Sequence, residues 1–150
     1  MTKHSKKSAL SQYKKVGTES DAAFANPHRL IQMLFNGALE KISIARGAME
    51  RGEIAKKGEH IGWAISIIEG LRTSLDKDTG GEIAENLESL YVYIEERLVL
   101  ANIDNDLEIM DEVVRLLNTV KSAWDEISGE AAALPANNAT STDSILSATS

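Results

Sequence analysis

Between Asn26 and Ile127 the chain holds four successive stretches in which apolar residues return every three or four positions, each followed by a helix-stopping signal. That spacing matches 3.6 residues per turn, so each stretch lays a hydrophobic stripe along one side of an α-helix. A stripe must be covered, and four helices joined by short links can cover one another. The expected fold is all-α, an antiparallel up-down four-helix bundle.

Punctuation sets the expected boundaries. Asn26-Pro27 opens the first helix, because Asn caps free N–H groups and Pro at the first helical position gives up no hydrogen bond. Ile31, Leu34, Ala38, Ile42, Ala45 and Met49 form its inward face before Arg51-Gly52. The second helix is expected over 54–75 through Ile61, Ala64, Ile65, Ile68, Leu71 and Leu75, ending in the turn-prone run Asp76 to Gly81. A third spans 82–101, with Ile83, Leu87, Leu90, Tyr91, Ile94 and Leu98 inward. Glu82 and Glu85 sit at its start, where the helix dipole favours acids. The fourth spans 106–128 through Leu107, Met110, Val113, Val114, Leu117, Val120, Trp124 and Ile127, and Gly129 stops it.

Three segments follow: a basic arm over 1–25, the bundle over 26–128, and a tail over 129–150. The arm carries five Lys against Glu19 and Asp21. Its Leu10, Tyr13 and Val16, spaced three apart, share one side of a short helical turn and suit a small cap on the body. The tail is rich in Ala, Ser, Thr and Asn, has little to bury, and is expected to be disordered.

Composition narrows the function. The chain has no cysteine, which removes disulfides, thiolate metal sites and thiol nucleophiles. Its three histidines are scattered and no Glu-x-x-His pair exists, so a di-metal bundle site is not expected. Gly80-Gly81 lacks the Lys-Ser/Thr of a phosphate loop. Neither an enzyme nor any cofactor or metal is expected. The bundle segment has 11 Lys and Arg against 19 acids, a balance that repels nucleic acid. No apolar run approaches the roughly 20 residues of a membrane span, and no apolar core follows the basic start, so a cytoplasmic protein is expected.

A second apolar face is the better lead to function. Leu30, Met33, Gly37 and Ile44 turn away from the first helix's inward set, as do Trp63, Ile67 and Gly70 on the second. A mid-helix glycine costs about 1 kcal/mol against alanine. Gly37, Gly62 and Gly70 therefore suggest close approach by another backbone. One reading keeps that approach inside the bundle, with Trp63 a peripheral core residue. The other makes these residues an apolar groove for a peptide with spaced anchors.

Ordered motifs carry a resemblance. Tyr13-Lys-Lys-Val-Gly-Thr18, Asn26-Pro-His-Arg-Leu-Ile-Gln-Met-Leu-Phe-Asn-Gly-Ala38, Lys57-Gly-Glu-His-Ile61, Ile68-Glu-Gly-Leu-Arg-Thr-Ser-Leu-Asp76 and Gly80-Gly-Glu-Ile-Ala-Glu-Asn-Leu87 come first. Leu90-Tyr91, Leu98-Val-Leu-Ala-Asn102 and Ala123-Trp124 complete the series. Together they resemble the flagellar secretion chaperone family, FliS, departing at Phe35-Asn36 where the family typically has Tyr-Asp. The resemblance implies a bundle that binds the disordered C-terminal segment of flagellin, prevents its premature polymerisation, and aids delivery to the cytoplasmic domain of the export gate. It also implies that the arm, through Leu10, Tyr13 and Val16, caps the binding surface, with Tyr13 a candidate export-gate contact. Two alternatives stand beside it: a helical module that forms a homodimer through the second face, and a chaperone for another secreted flagellar subunit.

Overall fold

The computed structural model of the protein describes residues 26–127, and they form four helices. Helix α1 is Pro27–Glu50, α2 is Ile54–Thr73, α3 is Lys77–Asp104 and α4 is Leu107–Glu126. The start of α1 is the one its sequence dictates: the Asn26 side chain accepts from the amides of His28 and Arg29, and Pro27 takes the first position. At its end Gly52 adopts φ +72°, a left-handed turn in which the Glu53 amide reaches back to the Ala48 carbonyl at 2.8 Å. Asp106 caps α4 in the same manner as Asn26, accepting from Glu108 and Ile109.

Helix α2 stops at Thr73, two residues short of expectation, and the run after it is itself helical. Asp76 caps a single turn over 77–80, accepting from the Thr79 amide at 3.1 Å. The break falls at Gly81, whose φ of 53° and ψ of −129° suit only a residue without Cβ. Thus the Gly-Gly pair kinks α3 instead of preceding it. At its far end α3 continues to Asp104, three residues past expectation, and Asn105 closes it in the left-handed conformation.

Polar contacts fix the directions. His28 at the start of α1 meets Trp124 near the end of α4, while Arg46 near the end of α1 pairs with Asp111 near the start of α4. Those two helices are therefore antiparallel. At the opposite pairing, the buried Lys57 ammonium at the start of α2 donates to the Asn102 carbonyl and Asn105 side chain at the end of α3. Sequential helices pack side by side, α1 and α4 close the ring, and α1 with α2 is the most intimate pair.

The core runs along the axis of this ring. Leu34, Ala38 and Ile42 of α1 meet Ile61, Ala64, Ile68 and Leu71 of α2, and Tyr91, Ile94 and Leu98 of α3 meet Met110, Val113 and Leu117 of α4. These are residues of the expected inward stripes. Phe35 joins them, 1% exposed, although the α1 stripe does not include it. A helix in a four-membered ring touches two neighbours, so its buried arc is wider than one narrow stripe.

Candidate functional site

The second face of α1 and α2 separates into two groups. Leu30, Met33 and Ile44 on α1 and Trp63 on α2 are half-buried. Gly37, Ile67 and Gly70 are buried, and Ile67 is 0% exposed within the main core cluster. The expectation that Ile67 lines an open groove is corrected. Ile67 belongs to the core cluster, so the outward-turned set read from sequence is partly core. Gly37 and Gly70 are likewise buried. Leu10, Tyr13 and Val16 lie outside the described residues.

What remains near the surface is centred on Trp63. The Lys41 ammonium of α1 sits 3.7 Å from the centroid of the Trp63 ring, a cation–π contact that ties the two helices along their outer seam. The His60 ring stands 6.2 Å from the same indole at 32°, and its Nδ1 is 2.9 Å from the Lys56 carbonyl one turn earlier. Trp63 Nε1 is buried with no hydrogen-bond partner, and Glu69 Oε2 is in the same state. Unpaired buried polar atoms each cost about 1–3 kcal/mol. Such atoms are uncommon in protein interiors.

Gly62 answers the question its sequence position raised. A Cβ built there meets no atom within 4 Å. Nothing in the described bundle requires a glycine at this exposed position of α2, unlike the kink at Gly81.

The ends and flanks of the ring are locked by polar clasps. Trp124 Nε1 donates to the His28 carbonyl at 3.1 Å while His28 Nε2 donates to the Trp124 carbonyl at 2.8 Å, and the rings stack at 5.1 Å. Arg46 grips Asp111 through two nitrogens at 2.7 and 3.2 Å. That hydrogen bond, with the nearby positive charge, holds the Asp111 carboxyl below its ordinary range. Glu112 accepts from the Tyr93 hydroxyl at 2.6 Å and from Arg97 at 2.8 Å, and these bonds lower its pKa against the opposing effect of desolvation. Burial pushes the Tyr91 phenol far above its ordinary value. Among the described residues no three His, Asp or Glu side chains converge as metal ligands, and no helix is long and apolar enough to cross a membrane.

The sequence reading gave no role to a third set. Val99, Leu100 and Ile103 of α3 are exposed, as is Ile54 at the start of α2. Their signal was present: Val99 and Leu100 fall between the buried Leu98 and Ala101, Ile103 lies two residues beyond, and all are outside every stripe.

Known proteins match this arrangement along its length. The family model described as flagellar protein FliS matches residues 9–131. The flagellar secretion chaperone FliSB of Pseudomonas aeruginosa is 55% identical over 120 residues, covering 80% of this chain and 95% of that protein. The flagellar secretion chaperone FliS of Salmonella typhimurium is 44% identical over 125 residues, 83% of this chain and 93% of that protein. Its counterpart in Vibrio cholerae is 41% identical over 122 residues, 81% and 90% of the two chains.

Proposed function

Because the chain belongs to the FliS family of flagellar secretion chaperones, we propose that it binds the C-terminal segment of flagellin and keeps that segment from polymerising before export. The observation that carries this reading is the extent of the likeness, which spans all four helices and not one motif. The bundle supports it in a second way. Its α1–α2 seam offers half-buried apolar side chains, Leu30, Met33, Ile44 and Trp63, beside an open glycine.

The mechanism is one of occupancy. A client segment laid along the seam buries apolar surface, which is favourable by about 25 cal/mol per Å² before the cost of ordering the segment. Its backbone can approach α2 at Gly62, where no side chain intervenes. Once covered, the client's own packing surface is removed from association, and no catalytic step or nucleotide is involved. The loaded chaperone then delivers its client to the cytoplasmic domain of the export gate.

Calorimetric titration of the full chain with a peptide of about the last fifty residues of the same cell's flagellin tests the reading. Saturable one-to-one binding with a negative heat-capacity change is expected, the mark of apolar burial. A folded protein that gives no heat at two well-separated temperatures, and no gel-filtration shift with the peptide, would overturn it.

A further inference from the structure

We propose that the outward face of α3 from Tyr93 to Ile103 docks a basic amphipathic helix of a partner protein, independently of the client seam on α1 and α2. The argument begins with where exposed apolar side chains lie. Scattered ones are ordinary on any soluble protein. Here the exposed large hydrophobics of the described residues are Ile54, Tyr93, Val99, Leu100 and Ile103, with exposures from 38% at Leu100 to 75% at Ile54. Four of the five belong to the last turns of one helix. At 100° per residue, Tyr93, Val99, Leu100 and Ile103 fall within one third of the circumference, opposite the buried Tyr91, Ile94, Leu98 and Ala101. Lys57, bonded to Asn102, holds the start of α2 at this same end of the bundle.

Charge selects the occupant. Glu96 lies in the middle of that arc, exposed, and forms no ion pair among the described residues, whereas Glu88 and Glu95 on the same helix pair with Lys77 and Arg72. Continuing the same ridge towards the start of α3 leads to Glu85 and Glu82, also exposed and without ion pairs among the described residues. The helix dipole accounts for acids in the first turns after the Gly81 break, but Glu96 is three turns further on. A partner helix with an apolar stripe and Lys or Arg on its flanks satisfies both the apolar end of the ridge and its carboxylates. A second copy of this chain does not. Parallel contact sets each ridge carboxylate against itself, and antiparallel contact about Val99 offers Glu96 no cation while joining two acidic bodies. Tyr93 is already positioned for the encounter, its hydroxyl held by Glu112 and its ring 5.8 Å from the Arg97 guanidinium, so little rotamer freedom is lost on binding.

Two synthetic helices of about eighteen residues, with one leucine stripe and either lysine or glutamate flanks, provide the probes. Fluorescence anisotropy with the full chain is expected to show saturable binding of the lysine peptide, weakening with salt, and none of the glutamate peptide. The double variant Val99→Ser, Ile103→Ser should lose about tenfold in affinity, and Glu96→Gln should lose less and flatten the salt dependence. All three positions are exposed, so unchanged helicity by circular dichroism is expected for each variant. Equal binding of both peptides, or affinity untouched by the variants, would overturn the proposal. So would a dimer in sedimentation that the double variant abolishes, which assigns the face to a second copy. Titration of the same variants with the flagellin peptide separates the readings: retained binding leaves the client seam standing whatever the ridge does.

Discussion

Ile67→Ala is the substitution that most sharply tests how α1 and α2 are rotated in the ring. Ile67 is 0% exposed and belongs to the core cluster, so truncation removes three buried carbons and leaves a void. At about 0.8 kcal/mol per carbon the transfer loss is roughly 2.4 kcal/mol. An unrelaxed void of roughly 80 Å³ adds about 2 kcal/mol at about 24 cal/mol per Å³. The sum, about 4 kcal/mol, lies within the range of about 2–5 kcal/mol for such truncations. Domains of this size have a total stability of about 5–15 kcal/mol, so the variant should remain folded but visibly weakened. Urea unfolding followed by circular dichroism is the assay. With a slope of about 2 kcal/mol per molar, the midpoint should fall by about 2 M with the slope unchanged. A loss under about 1 kcal/mol together with abolished flagellin binding would refute the reasoning, because it would place Ile67 on the client face and not in the core.

Two glycines of α2 and α3 should respond in opposite directions. Gly62→Ala has open space for its methyl group and should raise thermal stability by about 1 kcal/mol, while weakening client binding if a backbone passes there. Gly81→Ala sits at φ 53° and ψ −129° and should lower stability, read from the same melting curves, by more than the helix-propensity gain. Acid should weaken the α1–α4 and α3–α4 clasps. Asp111 and Glu112 have folded pKa values below their ordinary 3.8 and 4.5, so the stability they contribute is complete above those ordinary values and lost as pH falls through the lowered ones. The urea midpoint of Glu112→Gln should therefore differ from that of the parent at pH 7 and converge on it as acid protonates the parent's carboxylate; a constant difference would contradict the sign.

Much of the architecture could be read from the residues because it rests on local rules. Asn26-Pro27 and Arg51-Gly52 bracket α1 by backbone chemistry alone, and a three-and-four period can be satisfied only by helices that share a core. The inward positions Leu34, Ile42, Ile61, Ile68, Ile94, Leu98, Met110 and Leu117 followed from that period. The turn at Asp76 to Gly81 was legible as an interruption. Whether it was a loop or a capped helical turn depended on one Asp76 side chain finding the Thr79 amide.

Tertiary structure decided which side of each helix is a flank and which is a surface. Periodicity places Phe35 and Ile67 off the main stripe, yet both are core, because each helix of a closed ring is covered by two neighbours whose azimuth no local rule encodes. The same indeterminacy runs the other way for Val99, Leu100 and Ile103, which are apolar and lie in the last turns of a long helix but are left exposed among the described residues. A sequence specifies how side chains are arranged around their own helix axis. Only packing specifies the rotation of that axis against the others, and with it which apolar residues are left for a partner.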